Sequence, residues 1–254
     1  MIAEGDILNR VELLVGPEVM ARLASARVLL FGVGGVGSWC AEALVRTGIG
    51  HLTIVDSDRV AVSNINRQLM ATTVTVGRVK VDALRDHLLL IRPDADITAV
   101  QQIFCEQTAH LFDLDAYDFV VDCIDSLKDK ALLIRRATRS KARLLSSMGA
   151  ALKMDPTRIR VAEFRKVEGC PLARALRQRF KRSGNFPARK FLCVYSDEVL
   201  RNAGSVALPD REEGAEADAM RSRKAQINGS LMHITAIFGL TLAGLIVQAV
   251  SDNK

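Results

Sequence analysis

The chain has 254 residues, of which 49% are hydrophobic and 25% are charged, and its formal net charge is +6. This composition excludes an intrinsically disordered chain, and only 17 Gly and 6 Pro exclude a collagen-like one. The length predicts one large domain or one domain with an extension. The small positive charge only weakly favours polyanionic partners.

The cysteines favour a reducing compartment. They are odd in number and form no Cys-x-x-Cys pair, so they indicate neither a disulfide framework nor a four-cysteine zinc site. The cysteines are Cys40, Cys105, Cys123, Cys170 and Cys193. Residues 1–10 contain Glu4 and Asp6 and no long apolar run, which predicts no secretory signal. We therefore expect a cytoplasmic protein.

Strand and helix patterns alternate along residues 1–150. Short apolar segments predict strands at 27–31, 51–55, 97–100, 119–121 and 144–146. Helical spacing is found at 38–46, 79–90 and 127–140. Such alternation is typical of parallel strands joined by crossover helices. Residues 1–150 therefore predict an α/β fold with a doubly wound, mostly parallel, Rossmann-like sheet.

The pattern changes in residues 151–254, which we interpret as a smaller carboxyl-terminal extension. Charged and apolar residues alternate over 158–164, as in a half-exposed strand, and Pro171 begins a basic helix. Residues 183–224 are rich in Gly, Pro and charge and predict a long, partly mobile loop, which we treat as an insertion. An acidic cluster lies within it, at Asp210, Glu212, Glu213, Glu216 and Asp218.

A long apolar helix is predicted over residues 230–250. Its length approaches the roughly 20 residues of a membrane span. His233, Gln248 and several hydroxyl side chains interrupt it, so we interpret it as a buried core helix without stable membrane insertion. A dimer surface and membrane contact are the alternatives.

A glycine-rich turn follows the first predicted strand. Gly32, Gly34, Gly35 and Gly37 contain the Gly-x-Gly-x-x-Gly spacing, which brings helix amides against a phosphate. Asp56 ends the second strand, where a carboxylate accepts hydrogen bonds from ribose hydroxyls. A turn used only for close packing is the structural alternative.

Further polar residues distinguish a triphosphate from a dinucleotide. Arg67, between Asn64 and Gln68, and Lys80, at the head of a helix, would offset the charge of a leaving pyrophosphate. Asp125 lies just past a buried strand, where an oxygen ligand can hold Mg²⁺ across phosphates. Asp122 is interpreted as a structural residue of the strand itself. These residues predict ATP and Mg²⁺ as the ligands.

Together these residues resemble the ThiF/MoeB adenylating superfamily, to which ubiquitin-activating enzymes also belong. The motifs that carry the resemblance are Gly-x-Gly-Gly-x-Gly from Gly32, Asp56-x-Asp58, Asn64-x-x-Arg67-Gln68, Lys80 and Asp122-x-x-Asp125. Within the superfamily, four segments are similar to the tRNA threonylcarbamoyladenosine dehydratases. They are Arg46-Thr-Gly-Ile-Gly50, Asp125-Ser126, Asp155-Pro-Thr157 and the closing helix from Gly229-Ser230.

The resemblance implies an ATP-dependent reaction on tRNA. The threonylcarbamoyl carboxylate is activated as an adenylate, and ring closure then releases AMP. Asp56 would bind ribose; Asn64, Arg67 and Lys80 would bind phosphates; Asp125 would bind the metal. Asp58 and Gln68 complete the implied nucleotide site.

The resemblance also implies partners. It implies a homodimer, and it leaves open a sulfur-relay or sulfur-acceptor protein. Superfamily members carry an arginine near the amino terminus that reaches the partner subunit's ATP, and Arg10 is the arginine available here.

Two basic segments are candidate tRNA contacts. The first has seven cations and no acidic residue between Leu172 and Lys190, and the second spans residues 128–143. The candidate phosphate contacts in the first are Arg174, Arg177, Arg179, Lys181 and Arg182. Solvated helix faces are the alternative for both. Cys193 is interpreted as a buried structural cysteine, with an activated thiolate as the alternative.

Three other functions share part of this pattern. An adenylyltransferase for a ubiquitin-like sulfur carrier would use the same ATP chemistry, but the chain lacks Cys-x-x-Cys pairs and has the basic segment. An NAD-dependent oxidoreductase would need a hydride-transfer acid that the sequence does not place. A catalytically silent binding module would not need the four residues Asp56, Arg67, Lys80 and Asp125 together.

Overall fold

A mostly parallel sheet forms the centre of the molecule. The computed structural model describes residues 4–204 and 228–252. The strands are β1 Arg27–Phe31, β2 His51–Val55, β3 Asp96–Val100, β4 Phe119–Asp122, β5 Arg143–Ser147, β6 Ile159–Glu163 and β7 Leu192–Ser196. Their order across the sheet is β3-β2-β1-β4-β5-β7-β6, and β6 alone among these strands pairs antiparallel, with β7. This arrangement confirms the predicted fold class.

Helices cover both faces of the sheet. They are α1 Glu4–Val15, α2 Pro17–Ser25, α3 Gly37–Arg46, α4 Lys80–Ile91, α5 Leu127–Ala137, α6 Pro171–Ser183 and α7 Met232–Asp252. The helices predicted from sequence agree with α3 to α7 within a few residues. The amino-terminal pair α1 and α2 was not predicted.

The two faces have separate hydrophobic cores. Successive side chains of a strand point to opposite faces, and β1 follows this rule. Val28 and Leu30 pack in the core that includes α3 and α7. Leu29 and Phe31 pack in the core that includes α5 and α6. Burial of every residue from Val28 to Phe31 explains why β1 reads as a continuous apolar run.

Helix α7 belongs to the first of these cores. Its length and composition alone would allow it to cross a membrane, but 56% of its apolar window is buried. Ile234, Phe238, Leu242 and Ile246 are fully buried, and the helix packs against α2 and α3. This packing supports the interpretation as a buried core helix.

The prediction of a long loop over residues 183–224 is wrong for residues 192–196. Residues Leu192–Ser196 form β7, which is hydrogen-bonded to β5 on one side and to β6 on the other. The acidic cluster Asp210, Glu212, Glu213, Glu216 and Asp218 lies outside the described residues. The strands β6 and β7 therefore extend the sheet that residues 1–150 begin.

Candidate functional site

A large cavity opens where the order of the strands reverses. The chain runs outward from β1 through β2 to β3 and then returns to place β4 on the other side of β1. Ligands of open α/β sheets bind at this point, outside the carboxyl ends of the strands. The cavity has a volume of about 670 Å³, and residues after β1, β2, β4, β5 and β7 line it. This volume lies in the range of small-molecule sites, roughly 300–1,000 Å³.

The glycine turn forms one wall of this cavity. Gly32 has a φ of +85°, and a Cβ there would lie 2.8 Å from the carbonyl oxygen of Cys123. A Cβ at Gly37 would lie 1.9 Å from the carbonyl oxygen of Gly32. Only glycine therefore allows β1 to turn so tightly into α3. Gly32, Gly34 and Gly35 line the cavity, whereas Gly37 is buried behind it and serves the packing of the turn.

Asp56 connects the second strand to this turn. One carboxylate oxygen accepts a hydrogen bond of 2.9 Å from the backbone N–H of Val33, and the other accepts one of 2.9 Å from that of Asp58. A carboxylate offers about four lone-pair positions, so each oxygen retains capacity for a ligand hydroxyl. The side chain is fixed by the turn and lines the cavity.

The two predicted phosphate cations both line the cavity. Lys80 begins α4, its side chain is 8% exposed, and its Nζ lies 2.8 Å from Oδ2 of Asp58. Arg67 is half-buried and donates two hydrogen bonds of 2.8 Å, to the carbonyl oxygen of Ser63 and to Oδ1 of Asn66. Trp39 donates to the carbonyl oxygen of Arg67, which holds this residue against α3. The structure thus brings both cations to the cavity that the glycine turn borders.

Asn64 and Gln68 occupy different positions. Asn64 is buried and accepts a hydrogen bond from the N–H of Ala61 through Oδ1, and it is not among the residues that line the cavity. Gln68 is 6% exposed and lines the cavity next to Gly34. Its Oε1 has no hydrogen-bond partner within the described residues. A buried acceptor without a partner costs free energy, which a ligand donor would recover.

The aspartate that ends β4, Asp122, and the one that follows the strand, Asp125, have separate roles. Asp122 is fully buried, lies 3.0 Å from Nζ of Lys130, and accepts a hydrogen bond of 2.7 Å from Ser146. Burial raises the pKa of Asp122, and the Lys130 charge opposes this effect. Asp125 is exposed and lines the cavity. The prediction of a structural Asp122 is therefore confirmed.

Among the described residues no group of three His, Cys, Asp or Glu side chains could hold a metal ion by itself. Mg²⁺ commonly binds through one or two carboxylates together with substrate phosphates. Asp125 beside a triphosphate fits that pattern.

The β5 and β7 side of the cavity was missed by the sequence reasoning. Its charged residues among those described are Lys153, which is 5% exposed, and Glu198, which is 7% exposed. Lys153 follows the small residues Gly149, Ala150 and Ala151 that come after β5. The position just past the carboxyl end of a strand, which identified Asp125, is the signal that could have found Lys153.

A basic groove lies between α5 and α6. It has a volume of about 460 Å³, and its cations come from both basic segments. They are Lys128 and Arg135 of α5 and Arg179 and Arg182 of α6. The amino-terminal residues Pro171 and Leu172 of α6 line the cavity, and Asp125 precedes α5 by two residues. Both helices therefore lead from the cavity to the groove.

The other cations of the basic segments are not equivalent. Arg177 donates to the carbonyl oxygens of Phe164 and Val167, at 3.2 and 2.8 Å, and its guanidinium lies over the Phe164 ring. Arg189 donates to carbonyl oxygens in the segment that follows α5, including those of Thr138 and Ala142. Lys130 is fully buried beside Asp122. These three cations have structural partners, whereas Arg174 and Lys181 are exposed.

Cys193 is buried in β7, as predicted. Burial raises the pKa of its thiol well above the ordinary value. A nucleophilic thiolate requires the opposite shift.

Arg10 is exposed on α1. Its reach to the ATP of a partner subunit stays a prediction of the resemblance.

Comparisons with known proteins agree with this geometry. The ThiF family pattern matches residues 8–254. The chain is 33% identical to the tRNA threonylcarbamoyladenosine dehydratase of Haemophilus influenzae, over 94% of this chain and 90% of that protein. It is 35% identical to the molybdopterin-synthase adenylyltransferase of Escherichia coli, over 62% of this chain and 61% of that protein. The crystal structure of Escherichia coli tRNA N6-threonylcarbamoyladenosine dehydratase in complex with ATP has a TM-score of 0.83 and 30% identity, covering 98% of this chain and 96% of that chain.

Proposed function

The chain belongs to the ThiF family, and from this premise we propose that it acts as an ATP-dependent dehydratase of tRNA threonylcarbamoyladenosine. The extent of similarity carries the proposal. Similarity to the dehydratase of Haemophilus influenzae spans 94% of the chain and includes the β5 to β7 region, whereas similarity to the adenylyltransferase spans 62%.

The proposed reaction has two steps. A carboxylate oxygen of the threonylcarbamoyl group attacks the α-phosphorus of ATP, the bond to the β-phosphate breaks, and pyrophosphate leaves. A nucleophilic atom of the same threonylcarbamoyl group then attacks the activated carbonyl carbon and closes the ring, losing its proton to solvent as AMP leaves. The net change is the loss of one water from the modified nucleoside, and the carboxylate oxygen departs in AMP.

The nucleotide side of the cavity supports the first step. Gly34 and Gly35 leave room for phosphates before the amino terminus of α3, where helix amides favour an anion. Asp56 would accept hydrogen bonds from the ribose hydroxyls, and the free Oε1 of Gln68 would accept another from the nucleotide. Asn64 would act as a positioning residue, because its side chain holds the turn that carries Arg67.

The cations Arg67 and Lys80 would balance the charge that develops as pyrophosphate leaves. Fixed cations in a cavity need little reorganisation during the reaction, which makes them effective. Lys80 is paired with Asp58 in the structure. The phosphates would therefore either share the Lys80 ammonium with Asp58 or replace Asp58 as its partner. Asp125 would bind Mg²⁺ together with the phosphates. When bound, Mg²⁺ supplies charge neutralisation at the phosphate oxygens.

The basic groove between α5 and α6 is the proposed tRNA contact. Lys128, Arg135, Arg179 and Arg182 face one groove, so a phosphate backbone can contact cations from two helices. Both helices begin near the cavity, which would place the modified nucleoside there. Arg174 and Lys181 are further proposed contacts, because they are exposed. Arg177 is left out, because backbone carbonyls occupy its guanidinium.

Salt dependence tests the groove. Replacing Arg179 and Arg182 together by Gln should weaken tRNA binding and flatten its slope against log salt by about 0.7 to 0.9 for each arginine that no longer binds a phosphate. Affinity for ATP should remain within about twofold. Arg201→Gln, an exposed arginine outside the groove, is the matched control and should keep the parent slope. An unchanged slope in the double variant would show that neither arginine binds a tRNA phosphate and that both are solvated side chains.

Release of AMP tests the proposed function against its alternative. AMP should form only with tRNA that carries threonylcarbamoyladenosine, because that nucleoside supplies the carboxylate. AMP release that requires a ubiquitin-like sulfur carrier instead would identify an adenylyltransferase.

The remaining assignments concern partners and compartment. A homodimer and a cytoplasmic location are proposed, and a sulfur-relay partner stays a prediction of the resemblance. Light scattering that gives the 27.8 kDa monomer at micromolar concentration would contradict the dimer.

A further inference from the structure

A third cation of the cavity has no assigned role. The described cations that line the cavity are Arg67, Lys80 and Lys153. The first two lie in the segment that follows β2, on the side of the cavity where the nucleotide phosphates are proposed to bind. Lys153 lies on the other side, among residues that follow β5 and β7. The nucleotide alone therefore leaves Lys153 without a function.

Among the described residues no carboxylate is in direct contact with the Lys153 ammonium, and the charges of Glu198 and Asp197 act on it only from a greater distance. Its Nζ donates one hydrogen bond, to the backbone carbonyl oxygen of Glu198. The carboxylate of Glu198 instead accepts from the N–H groups of Met154 and Asp155, at 2.8 and 3.0 Å. Among the ion pairs of the described residues, buried Lys80 and Lys130 each have a carboxylate, whereas Lys153 has none.

A buried ammonium without a carboxylate in direct contact is costly, and for Lys153 the effect of burial outweighs the attraction of Glu198 and Asp197. An ammonium group has three N–H donors, and the backbone carbonyl uses one. Lys153 can therefore offer two further hydrogen bonds to an anion in the cavity.

The backbone before Lys153 is also unusual. Leu152 has a φ of +58°, the one positive value among the described residues other than glycine. Two backbone hydrogen bonds hold it, from its N–H to the carbonyl oxygen of Gly229 and from the N–H of Leu200 to its carbonyl oxygen. Such conformations cost about 1–3 kcal/mol and persist where the surrounding structure imposes them, often at ligand sites. The left-handed conformation of Leu152 sets the direction of the chain at Lys153, which lines the cavity.

We propose that Lys153 binds the substrate carboxylate, the group that becomes adenylated. This inference rests on the proposed function and assigns the substrate side of the same cavity. The ammonium holds the carboxylate against repulsion from the triphosphate, and one carboxylate oxygen then attacks the α-phosphorus. Lys153 transfers no proton in this step, so the charge balance of the reaction is unchanged.

A chemical change in the ligand tests this assignment directly. An anticodon stem-loop carrying threonylcarbamoyladenosine is compared with the same RNA in which the threonine carboxylate is a carboxamide. Binding is measured with an ATP analogue that has a methylene group between the α- and β-phosphates, so that no reaction occurs. The parent should prefer the carboxylate by roughly 10- to 100-fold, the range for a hydrogen bond to a charged group.

Lys153→Met should reduce the preference for the carboxylate over the carboxamide to less than about threefold, because it removes the ammonium and keeps an unbranched side chain. Lys166→Met makes the same change at an exposed position outside the cavity and should keep the parent preference. Lys153→Gln provides a second variant if the methionine variant does not fold, as judged by its melting temperature.

The outcomes separate the two levels of the proposal. A carboxylate preference that survives in either folded Lys153 variant overturns the assignment of Lys153. The same conclusion follows if the parent binds the carboxylate and the carboxamide equally. Failure of the parent to form any cyclised nucleoside would overturn the proposed function instead.

Discussion

The buried pair Asp122 and Lys130 fixes the turn that presents Asp125. Both side chains are 0% exposed, and their charged atoms lie 3.0 Å apart. Asp122 also accepts a hydrogen bond of 3.1 Å from the N–H of Ile124, and Lys130 donates one of 2.9 Å to the carbonyl oxygen of Ile124. The pair therefore connects β4, the turn and α5.

Asp122→Asn should destabilise the fold strongly, because it leaves the Lys130 ammonium buried without its counter-charge. Loss of one partner of a buried pair costs about 3–5 kcal/mol. Lys130→Met should cost a similar amount, since it leaves the carboxylate alone. The double variant removes both charges and should lie within about 2 kcal/mol of the parent.

Urea denaturation of the four proteins measures this coupling. Asp86→Asn is the matched control, because its pair with Arg78 is about half exposed and should be worth under about 1 kcal/mol. If the double variant loses the sum of the two single losses, the two charges do not compensate each other and the reasoning fails.

Three further predictions concern the cavity. Lys80→Ala should lower turnover by about 10- to 1,000-fold, the range for one fixed electrostatic group, and unchanged turnover would remove Lys80 from the site. Asp125→Asn should lose activity that raised Mg²⁺ partly restores, since the phosphates remain as ligands. Full activity at limiting Mg²⁺ would contradict a ligand role. Burial lowers the pKa of Lys153 from its ordinary 10.5. Between the lowered pKa and 10.5 the unfolded chain binds more protons, so the parent should gain stability relative to Lys153→Met as pH rises. Urea titrations at pH 7 and 10 measure the difference in the free energy of unfolding between the two proteins. A parent that becomes less stable relative to Lys153→Met at pH 10 would contradict this prediction.

The nucleotide side of the cavity could be predicted because its residues follow strands at short spacing. Asp56 comes 24 residues after Gly32, and one strand, one turn and one helix determine how they meet. Arg67 and Lys80 lie on the next segment of the same chain. Patterns within one continuous segment of the sequence were therefore sufficient to predict the nucleotide side.

The substrate side could not be predicted in the same way, because contacts between distant segments create it. Lys153 meets Glu198 across 45 residues, and β7 is inserted between two strands that precede it in the chain. Residues 192–196 are a run of only five residues, four of them hydrophobic, between charged segments, and were therefore included in the predicted loop. Pairing with β5 and β6 makes them a strand.

Helix geometry also separates cations that look alike in sequence. Arg177 and Arg179 are two residues apart on α6, which places them on different sides of the helix. Arg177 reaches the carbonyl oxygens of Phe164 and Val167, and Arg179 faces the groove with α5. A count of charges along the segment could not distinguish them.

Mass spectrometry of tRNA nucleosides tests the proposed reaction most directly. The protein is incubated with ATP, Mg²⁺ and tRNA that carries threonylcarbamoyladenosine, and the digested nucleosides are compared with a sample that lacks ATP. We predict a nucleoside lighter by one water, formed in step with AMP and absent when ATP is omitted. Recovery of unchanged threonylcarbamoyladenosine, with ATP bound and the tRNA bound, would contradict it.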